Sequence, residues 1–164
     1  MRRTLRAGLR ALAVGAVLPV AATAQVSWGA HAVRAADAFG GATGAGVRAG
    51  VTLPVLPFDL IGSAEYFFPD CGNDQSDCGL HGLTLDANVR MVLPVLRPYG
   101  LAGLAYRKVS PGGDAPDEES TGLALGAGVD LALGGLRLFG EGRYEFLDAP
   151  EKQFLLRLGI MFGL

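Results

Sequence analysis

Two histidines and five serines are the residues of this chain best suited to hydrolytic or acyl-transfer chemistry. A serine becomes a nucleophile only when a base lies within hydrogen-bond reach and a third group orients that base. The serines are Ser27, Ser63, Ser76, Ser110 and Ser120, and the histidines are His31 and His81. His81 with Ser76 or Ser120 is the one combination that can be drawn as a site, at the end of a strand beside a loop. Nothing nearby orients the imidazole, and a histidine in a loop stem accounts for His81 without chemistry. The expectation is therefore a chain that is not an enzyme, uses no cofactor and has no metal centre.

Charge supplies the second kind of chemistry. Arg48, Glu65, Asp86, Glu141, Arg143 and Arg157 each stand among glycines and alanines, on the side opposite a run of large apolar residues. With Arg90, Asp130, Arg137 and Glu145 they make five residues of each sign. Matched charges in a confined space favour ion pairing, which offsets the cost of leaving water. A structural plug is the favoured reading. A narrow ion conduit is the alternative, because pores also carry charged linings. Removing Arg143 and Arg157 together should destabilise a plug but enlarge the current through a channel.

The only cysteines, Cys71 and Cys78, flank Gly-Asn-Asp-Gln-Ser-Asp. In an exported protein a disulfide is the default, and closing so short a loop is worth roughly 2–3 kcal/mol. A redox or metal role lacks a second cysteine pair or a nearby histidine. Asp70, Asp74 and Asp77 around them, and Asp114, Asp117, Glu118 and Glu119 further on, form two acidic stretches. Such oxygen-rich loops can bind divalent cations and bridge to anionic lipid head groups. Their spacing fits no defined calcium loop, so a solvated acidic surface is favoured.

The elements that must position these residues follow from a period of two, which sends successive side chains to opposite faces. Val47, Ala49 and Val51 oppose Arg48 and Gly50; Leu83, Leu85, Ala87 and Val89 oppose Thr84, Asp86 and Asn88. Leu123, Leu125 and Ala127 oppose Ala124 and Gly126; Leu156, Leu158, Ile160 and Phe162 oppose Arg157, Gly159 and Met161. Leu53-Pro54-Val55-Leu56 recurs as Leu93-Pro94-Val95-Leu96, and Leu133-Gly134-Gly135-Leu136 follows at the same 40-residue interval. Short turns at that period imply repeated hairpins. The segments 37–43, 69–79, 110–120 and 148–152 read as longer loops. Eight strands result, at about 25–36, 43–53, 57–68, 80–93, 97–109, 121–133, 136–147 and 153–164.

Short turns at one end and long loops at the other, with an apolar face outward, describe an antiparallel barrel in a membrane. A soluble sandwich or lipocalin-like barrel also alternates, but buries its apolar face and wets the other. Here the second face is glycine, alanine and charge, which suits a narrow lumen. Trp28, Phe58, Tyr99 and Phe162 near the short turns, and Tyr66, Phe68, Tyr106, Tyr144, Phe146 and Phe154 near the loops, read as two aromatic girdles. The fold expected is all-β, an eight-stranded up-and-down transmembrane barrel with a polar, plugged lumen.

Both chain ends speak to destination. Arg2, Arg3, Arg6 and Arg10 precede the apolar run Ala11 to Ala24, which closes on Ala22-Thr23-Ala24. That is the pattern of a secretory signal peptide over residues 1–24, too short to span a bilayer as a helix. Its removal takes four of the 14 basic residues and none of the 16 acidic ones, leaving residues 25–164 with a net charge of −6. Such a balance argues against nucleic acid as a partner.

At the other end, Arg157, Gly159, Phe162 and Leu164 resemble the C-terminal signal by which outer-membrane barrels are recognised for insertion. With the strand layout, residues 25–164 resemble the small barrels of the OmpA/OmpX type. That resemblance implies a bacterial outer-membrane location reached through the periplasm. It implies contact with outer-membrane lipids including lipopolysaccharide, and with the barrel-assembly machinery during insertion. It further implies a structural or surface-interaction role through loops that meet a surface ligand. Some relatives are lipid A deacylases or acyltransferases, but no serine here stands in a matching motif.

Overall fold

Alternation produces strands, and the strands close on themselves. This computed structural model describes residues 24–36, 41–53, 56–68, 79–91, 95–110, 116–148 and 152–163. They form β1 (Gln25–Ala35), β2 (Thr43–Thr52), β3 (Asp59–Phe68), β4 (Gly79–Arg90), β5 (Leu96–Ser110), β6 (Glu118–Leu133), β7 (Leu136–Leu147) and β8 (Gln153–Phe162). Each strand pairs antiparallel with the next, and β1 also pairs with β8, giving a closed barrel. Closure leaves no strand edge with unpaired backbone groups.

The bounds lie within three residues of those expected. The main difference is at β6, which starts at Glu118 inside the stretch read as a loop. Lys108 explains the extension: its ammonium lies 2.7 Å from Asp117 and 3.5 Å from Glu119, fastening the top of the β5–β6 hairpin. At the other end of β6, Leu133 pairs with Leu136 across a two-residue turn. Gly134 there takes φ +69°, a conformation that excludes most side chains and matches the strand twist.

Large apolar side chains face outward. Leu158 is 70% exposed, and Val47, Leu83, Leu104 and Leu123 are more than half exposed. Trp28 and Phe162 stack at 5.0 Å near the short-turn end, while Tyr66 with Phe68 and Tyr144 with Phe146 pair edge-on near the loops. Tyr99 corrects the girdle assignment: it is buried and faces inward, because β5 sets Leu104 and Tyr106 outward and Tyr99 on the other parity.

The interior is layered, which corrects the expectation of a polar lumen throughout. Toward the loops, Val33, Ala35, Ala42, Phe67, Leu80 and Leu155 pack as a buried apolar cluster with Val109 against it. Below it lies a belt of charged residues, and below that a second polar group near the short turns. The residues expected to form the signal peptide up to Thr23, the Cys71–Cys78 pair, Ser76 and Leu164 lie outside the described residues.

Candidate functional site

The charged belt is the most elaborate chemistry in the described residues. Arg157 on β8 places Nε 2.6 Å from Glu65 and Nη1 2.9 Å from Glu141. Arg107 on β5 grips Glu145 with Nε at 2.8 Å and Nη2 at 2.7 Å, and donates from Nη1 to Glu65 at 2.7 Å. Arg143 reaches Asp86 at 2.7 Å and Glu145 at 3.0 Å. Arg48 lies 3.3 Å from Glu141 and stands over the Phe139 ring at 4.1 Å. Further groups share oxygens that the guanidiniums already hold: the Tyr99 hydroxyl donates to Glu141 at 2.9 Å and Gln153 to Glu145 at 2.6 Å, while His31 Nε2 is 2.9 Å from Glu65.

These strands bring four guanidiniums against four carboxylates, every one of them buried. Charges so far from water are tolerated only when paired and hydrogen-bonded. The bidentate grip of Arg107 on Glu145 suits the planar guanidinium fork.

Glycines make the room. A Cβ at Gly82 would overlap the Arg107 guanidinium, one at Gly103 the Asp86 carboxylate, and one at Gly128 the Tyr99 ring. A Cβ at Gly46 would stand 2.6 Å from the His31 ring. The glycines of β2, β4, β5 and β6 are thus sockets for the side chains of the residues paired with them on the neighbouring strand.

Of the ten charged residues singled out in the sequence, seven come together here: Arg48, Glu65, Asp86, Glu141, Arg143, Glu145 and Arg157. Arg90, Asp130 and Arg137 lie apart in the lower group. There Arg90 is 2.9 Å from Asp59 and 3.5 Å from Asp130, and Arg137 is 3.6 Å from Asp130. Sequence reading missed Arg107, Tyr99 and Gln153. Counting outward from Leu104 and Tyr106 on β5 would have turned Arg107 inward. His81 faces outward with its ring 4.9 Å from Tyr66, whereas Ser120 sits opposite the inward Arg107 on β5. That places the two on opposite faces of the sheet. Gly159 lies opposite His31, and Phe162 opposite Trp28, on the β1–β8 seam that closes the barrel.

The chain matches no protein-family profile and no curated protein. Solved structures resemble it. The N-terminal barrel domain of Pseudomonas aeruginosa OprF is 19% identical with a TM-score of 0.64, covering 85% of this chain and 97% of that one. Neisserial surface protein A is 19% identical with a TM-score of 0.59, covering 85% and 96%. Ail, the attachment invasion locus protein of Yersinia pestis, is 17% identical with a TM-score of 0.56, covering 86% and 97%. At such identities the likeness is one of fold, and this chain is an eight-stranded, closed, antiparallel up-and-down barrel of the kind found in these outer-membrane proteins.

Proposed function

We propose that this chain is a non-enzymatic barrel of the bacterial outer membrane, whose interior is a structural plug and whose loops meet partners at the cell surface. The observation that carries the reading is the division of residues between the two faces. Outward positions hold exposed leucine, valine and aromatic side chains, and the charged belt inside is matched four against four. Only helices and closed barrels satisfy their backbone in lipid, and an outward apolar band suits lipid contact. The short turns then face the periplasm and the long loops the exterior.

The apolar layer of Phe67, Leu80 and Leu155 above the ion pairs argues against a conduit, since an ion crossing it finds no polar partner. On the outer surface, lipopolysaccharide is the nearest lipid partner. The acidic residues Asp70, Asp74, Asp77, Asp114 and Asp117, with Glu118 and Glu119 at the start of β6, favour cationic groups or divalent cations. The related Ail structure holds a heparin analogue, sucrose octasulfate. A polysulfate would be repelled by loops of this charge, so the surface ligand here belongs to another class. The barrel-assembly machinery would receive the chain through Arg157, Gly159, Phe162 and Leu164.

The test is to recover the protein from the outer-membrane fraction and run it with and without boiling, then to record it in planar bilayers. A heat-dependent mobility shift with a silent bilayer supports the reading. Steady conductance that grows when Arg143 and Arg157 are both replaced by methionine would favour the conduit. A change in lipid A mass that depends on His81 would favour an enzyme.

A further inference from the structure

The lower polar group differs from the belt above it in one respect: its charges do not balance. Arg90, Arg97 and Arg137 face Asp59 and Asp130 there. Arg97 sits opposite Asp130 in the β5–β6 register, but the near oxygen of Asp130 is already shared by Arg90 and Arg137. Among the described residues no carboxylate lies within 4.0 Å of the Arg97 guanidinium, and its buried Nε has no hydrogen-bond partner.

This surplus cation borders a cavity. A space of about 410 Å³ opens near the short turns, with Thr52, Phe58, Asp59, Asn88, Arg90 and Arg97 in its wall. Asp59 is the one carboxylate in that wall, and Arg90 neutralises it from 2.9 Å. Asn88 is 1% exposed with its amide oxygen unpaired, and a half-turn of the amide presents an N–H donor at that place instead. The wall therefore combines a planar guanidinium with donors to spare, a neutral amide and a hydroxyl. A guanidinium fork matches the two oxygens of a phosphate or carboxylate.

We propose that this vestibule binds a compact oxyanion, a phosphate or carboxylate group, with Arg97 as its principal ligand and Arg90 and Asn88 beside it. The group is either free in solution or carried by an anionic phospholipid head group at the barrel rim. The site is a blind one, because the ion-pair belt and apolar layer lie above it. It stands independently of the surface role proposed for the loops.

The experiment titrates inorganic phosphate into the folded protein in zwitterionic micelles while following the arginine Nε–H signals. Saturable shifts at Arg97 and Arg90 are expected, weakened about tenfold or more in R97Q and less in R97K, which keeps the charge without the fork. A second arm compares bicelles with and without an anionic phospholipid, free phosphate being absent. Saturation in either arm supports the site and names the source of the anion. Linear, non-saturating shifts in both arms, or equal affinity in R97Q and the parent, overturn it. Arg97 holds no carboxylate in place, so R97Q should keep the parent's heat-dependent gel mobility, which checks that the variant is folded.

Discussion

Replacing Arg157 with methionine tests the interior most sharply, because that guanidinium sits between two buried carboxylates. Its removal leaves Glu65, Asp86, Glu141 and Glu145 facing three guanidiniums. Breaking a buried pair costs about 3–5 kcal/mol, chiefly through the charge left behind. Both orphans keep other partners: Glu65 retains Arg107 at 2.7 Å and His31 at 2.9 Å, and Glu141 retains Tyr99 at 2.9 Å and Arg48 at 3.3 Å. The loss should thus fall at the low end, about 3 kcal/mol, or roughly two orders of magnitude in the folded-to-unfolded ratio. Urea titration of the protein refolded into phospholipid vesicles reads this as a lower midpoint at unchanged slope. The double variant R157M/E65Q restores equal numbers of each sign and should cost less than the two single variants summed, by about 1 kcal/mol or more. A loss under about 1 kcal/mol for R157M, typical of an exposed pair, or strict additivity in the double variant, would show that Arg157 does not hold Glu65 in a buried ion pair.

Gly82→Val places a branched side chain where the Arg107 guanidinium lies, and should lower stability by about 1–3 kcal/mol in the same titration. Leu158→Arg, on the outward face of β8, should cost about 2–4 kcal/mol in a bilayer, far more than an exposed position costs in water. Lys108, donating a hydrogen bond to Asp117, holds that carboxyl below the usual carboxylate range. A carbon-detected NMR titration should find Asp117 returning toward its ordinary value in K108M. Because the folded-state value is the lower one, the pair's contribution is present above the unfolded value, about pH 4, and fades as pH falls through the folded one.

The strands were readable because outward and inward positions alternate without interruption through Val47 to Val51, Leu83 to Val89 and Leu156 to Phe162. Where that contrast vanishes, so does the reading. Tyr66-Phe67-Phe68 and Phe154-Leu155-Leu156 are apolar at every position; alternation puts Phe67 and Leu155 on the inward face, but nothing in their composition tells that they meet there as an apolar layer. Arg107-Lys108 is the charged counterpart: two cations side by side, which only alternation from Leu104 and Tyr106 separates. Register agrees, since Arg107 falls opposite Gly82, the residue that makes space for it. Tyr99 reads as an interfacial aromatic by type and place, but its parity on β5 turns it inward, where Gly128 makes room for its ring and Glu141 accepts from its hydroxyl. The charged belt was visible as a set of inward residues, but its pairing depends on barrel stagger, which no single strand records.

Whether the apolar face of this barrel meets lipid while its charges face inward is read directly by the chain's single tryptophan. Trp28 is 62% exposed on the outward face of β1, stacked on Phe162 near the short turns. Fluorescence should be measured in vesicles whose phospholipids carry bromine at stated depths. Strong quenching, greatest for bromines close to the head group, is the result expected of an interfacial girdle. Emission typical of water that no brominated lipid quenches would contradict lipid contact and turn the barrel inside out.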